Sequence, residues 1–173
     1  SMLLTAVTDY TFPDLKIETE ILSQASGNLV SYKEKRPIAD LVSLVQDADC
    51  VITQFANVNA EVVASMKKVR AIVRYGIGVD NIDLDAARAK GIPVCNIPDY
   101  CIDEVADHTL SLILAVTRQL WRNVSTVKKG KWGLACTVNE MFALRDRAVG
   151  VLGFGRIGRE VVRRLLAFGC QIG

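Results

Sequence analysis

The chain has 173 residues, of which 50% are apolar and 23% charged, with a formal net charge of +2. That length and apolar content suffice for one buried core, or for one and part of a second. So small a net charge excludes a polycationic binder of nucleic acid or of anionic membrane surface. The five cysteines form no C-x-x-C pair and His108 is the only histidine, so the ligand spacing of a zinc site is missing and no metal is expected. An odd number of cysteines, with no basic region and apolar run at the N-terminus, reads as reduced thiols in the cytoplasm. The longest uncharged helical stretch, residues 109–117, is too short to span a bilayer.

Along the first hundred residues strand and helix alternate. Residues 3–8 read as a strand and 15–24 as a helix, with Gly27 and Asn28 breaking it before a strand at 29–32. Pro37 suits a first helical turn, and Ile38, Leu41, Val42 and Val45 share one face of a helix over 38–46. Residues 50–53 form a short buried strand, 60–67 a helix, and 71–75 a strand. Asp83 is an N-cap for a helix over 84–90 that Gly91 stops, and residues 93–96 are a last strand. Short connections between alternating elements imply a mainly parallel sheet covered on both faces.

Beyond residue 100 the pattern changes. Residues 99–103 are a loop of helix-start residues, and 104–122 read as one long helix. Its apolar residues surround the axis, so it is expected to be buried between layers or subunits. Residues 123–147 are less regular. A strand at 148–152 then leads into Gly153-Phe154-Gly155-Arg156-Ile157-Gly158, and a helix follows from about 157 to 168. G-x-G-x-x-G between a strand and a helix is the opening of a dinucleotide-binding βαβ unit. Gly153 permits the tight turn, Gly155 lets a pyrophosphate approach the backbone, and Gly158 lets the helix pack closely. The helix N-terminus presents free N–H groups and partial positive charge to the anion. The acidic residue that would separate NAD from NADP falls about 20 residues on, at or past Gly173.

A second constellation runs from Ile72 to Asp83. A buried strand enters a turn, Gly76-Ile77-Gly78, followed by the capped helix. Bare N–H groups at the carboxyl end of a parallel strand form a nest for an anion such as a carboxylate. A strand-to-helix turn that uses glycine only for its dihedral angles accounts for the residues equally well.

Three ordered stretches together resemble the D-isomer-specific 2-hydroxyacid dehydrogenases, over essentially the whole chain. They are residues 70–98, the run Asp103-Glu104-Val105-Ala106-Asp107-His108-Thr109, and the glycine turn. The resemblance implies an α/β protein: a flavodoxin-like parallel-sheet substrate domain (residues 1–100) and the start of a Rossmann nucleotide-binding domain (101–173). It further implies an oxidoreductase interconverting a D-2-hydroxy acid and its 2-keto acid with NAD, NADP not being excluded. Arg74, Gly76, Ile77 and Gly78 would hold the substrate. Ile77, Thr109, Gly153, Phe154, Gly155, Arg156, Ile157 and Gly158 would meet the cofactor. The helix near 103–121 would pair two subunits.

The family's catalytic Arg, acid and His would lie beyond this chain, making it an N-terminal fragment inactive alone. His108 belongs to the helical motif rather than to the catalytic position. Phosphoglycerate dehydrogenases usually carry an Arg after the third strand, where this chain has Gln54-Phe55-Ala56, so an unphosphorylated acid is at least as well supported. That stretch also resembles the branch containing the C-terminal-binding-protein corepressors. The alternative reading is therefore a dinucleotide-sensing interaction module. The strand at 148–152 is expected to pair with another chain or to lie at an exposed edge.

Overall fold

A computed structural model describes residues 2–173. The chain divides into two compact units, one ending at Tyr100 and the other running over Cys101–Gly173.

The first unit is a five-stranded sheet of β1 (Leu3–Val7), β2 (Gly27–Ser31), β3 (Cys50–Thr53), β4 (Ala71–Arg74) and β5 (Val94–Cys95). All pairings are parallel and the order is β2-β1-β3-β4-β5. Helices α1 (Lys16–Gln24), α2 (Ile38–Val45), α3 (Ala60–Ser65) and α4 (Leu84–Ala89) make the crossovers. Asn59 starts α3 by accepting the Val62 N–H at 3.0 Å, and Asp83 starts α4 by accepting that of Ala86 at 2.9 Å. The Lys90 ammonium donates to the carbonyls of Val63, Ala64 and Met66, closing the end of α3. Leu41, Val45, Val51, Val58, Val62, Val63, Met66 and Ile72 form the core, and burying each large side chain contributes about 1.5–3 kcal/mol. Gly27 and Asn28 do not break α1. They open β2, and the turn falls one step earlier, where Ser26 takes a positive φ of 54°.

The strand order reverses between β1 and β3. The connections that follow these strands run to opposite sides there, and open α/β sheets bind ligands at such a crevice.

The second unit contains α5 (Ile102–Thr117), α6 (Leu120–Lys128), a 3₁₀ turn (Val138–Glu140), β6 (Ala148–Val149), α7 (Arg156–Leu166) and β7 (Gln171–Ile172). The long helix expected over 104–122 is two helices, because Gln119 adopts a left-handed conformation with φ 51°. The break keeps its backbone satisfied. The Phe142 N–H takes the Thr117 carbonyl, and the Asn123 amide bonds the Gln119 carbonyl. Polar side chains decide this interruption, and apolar periodicity does not register them. As a result α6 reaches into the stretch expected to be irregular. Within this chain α5 buries Ala106, Leu110 and Thr117, while Leu112 and Val116 are more than half exposed.

The strand expected over 148–152 is shorter than its apolar run. It pairs in parallel with β7, Ala148 with Gln171 and Val149 with Ile172, and as expected it lies at an edge, as does its partner strand. Ile157, Val161 and Leu165 recur every fourth residue on α7, so this face packs with Ala106, Leu110, Leu144 and Cys170. Across the α5–α7 contact Arg164 meets Asp103 at 2.7 Å and Asp107 at 2.6 Å, and on its own helix it meets Glu160 at 2.8 Å. These carboxylates hold its guanidinium well above its ordinary range, with Asp103 the largest contributor.

Candidate active site

In the first unit the loops that hold the candidate residues gather at the carboxyl ends of β1, β3 and β4. Asp9, next to the end of β1, is 3% exposed. Its carboxylate accepts the backbone N–H groups of Gln54 (3.1 Å), Phe55 (2.8 Å) and Ala56 (3.0 Å), and the Thr8 hydroxyl at 2.9 Å. The N–H nest after β3, at the point of strand reversal, is thus filled by the chain's own anion. Nothing in the sequence around Asp9 marked it. Only the register of β1 beside β3 brings it to residues 54–56.

The neighbouring loop after β4 holds Arg74, Gly76, Ile77 and Gly78 together. Gly76 is buried with a φ of 150° that favours glycine, and a Cβ there would push the Arg74 guanidinium aside. The loop is tied down on all sides. The Tyr75 N–H donates to the Thr53 carbonyl, the Ile97 N–H to the Gly76 carbonyl, and the Asn96 amide to the Ile77 carbonyl. The Tyr75 hydroxyl donates to Glu18 at 2.8 Å, and its ring meets Phe12 edge-on. Burial first, then Glu18, raises the Tyr75 phenol well above its ordinary range, so it stays a neutral donor. Among the described residues the Ile77 and Gly78 N–H groups have no intramolecular acceptor. Two rigidly held N–H groups next to the strand reversal can receive a carboxylate. Arg74, half-buried, stacks over Phe55 at 5.6 Å, and its Nε is buried without a hydrogen-bond partner.

In the second unit the glycine turn links β6 to α7. Gly153 needs its positive φ of 97°, and a Cβ on Gly158 would collide with the Gly153 carbonyl oxygen. Gly155 differs. Its backbone is extended, and a Cβ there would meet no atom within 4 Å. The chain's own packing does not require glycine at 155, so the clear approach to the backbone suits a ligand. Arg156 and Ile157 open α7, whose first-turn N–H groups lie over this turn, and Phe154 is exposed. These residues fit a pyrophosphate. Thr109 lies on α5, and its hydroxyl donates to the Val105 carbonyl one turn back, at 2.7 Å. His108 is exposed on the same helix.

Among the described residues no three His, Cys, Asp or Glu side chains are grouped to hold a metal ion. No helix among them is long and apolar enough to cross a membrane.

A parallel α/β unit with an N–H cradle beside the strand reversal, joined in sequence to a β-glycine turn-α unit, defines a class of nucleotide-linked α/β proteins. The family described as D-isomer specific 2-hydroxyacid dehydrogenase, catalytic domain, matches residues 6–168, and the chain belongs to it. It is 37% identical over 134 residues to D-3-phosphoglycerate dehydrogenase of Mycobacterium tuberculosis, covering 76% of this chain and 25% of that protein. It is 36% identical to hydroxypyruvate reductase of Thermotoga maritima, covering 77% of this chain and 43% of that protein. D-lactate dehydrogenase of Aquifex aeolicus, solved with NAD and lactic acid, superposes with a TM-score of 0.78 at 26% identity, covering 98% of this chain and 50% of that one. The chain thus spans between a quarter and half of the length of these proteins.

Proposed function

We propose that the protein is an NAD-dependent D-2-hydroxyacid dehydrogenase, to which this chain contributes the substrate cradle and the pyrophosphate turn. The observation that carries the reading is the pair of free N–H groups at Ile77 and Gly78, which follow Gly76 at a φ that favours glycine. In this reading the substrate carboxylate accepts both N–H bonds, and Arg74 lies beside it as a positive charge. Fixing the carboxylate fixes C2, the carbon that loses hydride as its hydroxyl loses a proton. Such positioning lowers the barrier by removing orientational freedom before reaction. NAD, when bound, supplies the hydride acceptor at its nicotinamide ring. Gly153, Gly155, Ile157 and Gly158 would hold its pyrophosphate at the start of α7, with Phe154 and Arg156 flanking it; Thr109 of the second unit and Ile77 of the first are further cofactor residues in this reading. His108 receives no proton-transfer role. Free thiols at all five cysteines suit a reducing cytoplasm. The exposed Leu112, Val116, Leu120 and Trp121 on α5 and α6 suit pairing of two subunits.

The test is reduction of a panel of 2-keto acids with NADH by the full-length gene product, in chelator. We expect metal-independent turnover of at least one acid by that protein, and none by the 173-residue chain alone. No turnover of any acid by the full-length protein would overturn the reading.

A further inference from the structure

We propose that Asp9 is a positioning residue for the substrate cradle, and that it acts through Phe55. This inference rests on the assignment of Ile77 and Gly78 to the substrate carboxylate, with Arg74 beside it. The bonds of the Asp9 carboxylate go to the loop after β3 and to Thr8, and its two oxygens divide them. Oδ1 accepts the N–H groups of Gln54 and Ala56 and the Thr8 hydroxyl, whereas Oδ2 accepts the Phe55 N–H alone, at 2.8 Å. One oxygen therefore serves Phe55 only, and the other holds the residues on either side of it.

The loop after β3 is also what the cradle is fastened to. The Tyr75 N–H, one residue before Gly76, donates to the Thr53 carbonyl at 2.8 Å. Beyond Gly78, the Asn81 amide donates to the Ala56 carbonyl at 2.8 Å, and the Val58 N–H donates to the Asn81 carbonyl at 2.8 Å. Both ends of the cradle are thus pinned to residues 53–58, and Phe55 stands between the pins. The Arg74 guanidinium fills the space that a Gly76 side chain would take, and lies 5.6 Å from the centre of the Phe55 ring. The Lys35 ammonium, on the loop after β2, lies 5.7 Å from the same centre. Among the described residues neither cation has a carboxylate at salt-bridge distance. The face of an aromatic ring attracts a cation, so the place of the ring sets where the Arg74 charge stands beside the cradle.

Asp9→Asn separates the two oxygens. The amide oxygen can stand in for Oδ1 and keep its three donors. The amide NH2 then takes the place of Oδ2 and meets the Phe55 N–H donor to donor. The substitution releases Phe55 and spares its neighbours. Once the ring is displaced Arg74 loses its shelf, and an anion in the cradle loses the charge aimed at it. A residue that only stabilised the fold would not need the Phe55 ring for its effect on a ligand.

The experiment is a double-mutant cycle in the full-length protein saturated with NADH, with oxamate affinity by calorimetry and melting temperature measured for each variant. Asp9→Asn is expected to weaken oxamate binding about tenfold, the scale of one cation–π contact. Phe55→Ala, at a side chain nearly half exposed, should weaken it to the same degree. The double variant should bind no more weakly than Phe55→Ala alone, although Asp9→Asn lowers the melting temperature in both backgrounds. Phe55→Tyr keeps an aromatic face and should keep the wild-type affinity. An unchanged affinity in either Asp9→Asn or Phe55→Ala, a loss in Phe55→Tyr as large as in Phe55→Ala, or effects that multiply to about a hundredfold in the double variant would overturn the inference while leaving the cradle intact. An Asp9→Asn variant that does not fold would assign Asp9 to the fold alone and overturn the inference as well. Failure of the wild type to bind oxamate would overturn the cradle assignment and this inference with it.

Discussion

In the first unit the loop after β3 is gripped from inside, by an Asp9 carboxylate that is 3% exposed and accepts three backbone N–H groups. In the second unit the helix carrying the glycine turn is gripped from outside, by an Arg164 whose partners Asp103 and Asp107 are 72% and 69% exposed. Polar bonds in the interior are costly to break because the orphaned group cannot turn to water. Exposed ion pairs are screened and contribute little singly. The apolar surface divides the same way. The first unit closes its sheet over a continuous core, whereas the second leaves Trp132 and Leu152 almost wholly exposed beside a two-stranded sheet. The contrast predicts that the loop after β3 is stiff by itself, and that the glycine turn depends on local backbone sterics.

Breaking the interior grip should have the largest effect. Asp9→Ala strands the N–H groups of Gln54, Phe55 and Ala56, and should cost about 3 kcal/mol or more of stability. Urea unfolding would register this as a lower midpoint at unchanged slope, and a loss below about 1 kcal/mol would contradict the account of that loop.

The turn in the second unit allows a sharper comparison. Gly158→Ala drives a methyl group into the Gly153 carbonyl, so it should lower both the melting temperature and dinucleotide affinity in the full-length protein. Gly155→Ala adds a methyl where the chain has nothing. It should leave the melting temperature unchanged and weaken NAD binding by about tenfold or more. If the two variants behave alike, Gly155 is not the point of ligand approach.

The smallest effect concerns Glu140. The Arg122 guanidinium first, and then the Thr137 N–H, hold its carboxyl at about 2 against an ordinary 4.5. A carboxyl depressed on folding stabilises the folded state at pH values above its unfolded pKa. That contribution should be present above pH 4.5 and disappear as the pH falls to about 2. Both tryptophans, Trp121 and Trp132, lie in the second unit, so their fluorescence isolates its acid unfolding. Glu140→Gln should unfold with a shallower pH dependence across that window, and an unchanged profile would contradict the assignment.

Much of this was legible in the sequence, for physical reasons. Buried parallel strands print apolar runs, and the cap Asp83 and the stop at Gly91 print their residue types, so the alternation over residues 3–96 could be read directly. The roles of Gly153 and Gly158 followed from their spacing, although Gly158 proves to clear a carbonyl of the turn rather than the strand. The break at Gln119 was hidden because the bonds that hold it, the Phe142 N–H on the Thr117 carbonyl and the Gln119 amide on the Glu140 carbonyl, come from about twenty residues away, and the apolar pattern runs through it uninterrupted. The parallel pairing of β6 with β7 could not be read from two residues at each end. Asp9 and Lys35 were also missed. Each is an unremarkable charge in its own segment and acquires meaning only through strand order, which places Asp9 under residues 54–56 and Lys35 over Phe55.

The cradle itself can be tested without cofactor. In a ¹⁵N-labelled sample, titration with oxamate, a mimic of a 2-keto acid, should move the amide resonances of Ile77 and Gly78 most, with saturation at one shared dissociation constant. The amides of Gln54, Phe55 and Ala56, already bound to Asp9, should stay in place. Saturable shifts at residues 54–56 with none at 77 and 78 would contradict the account.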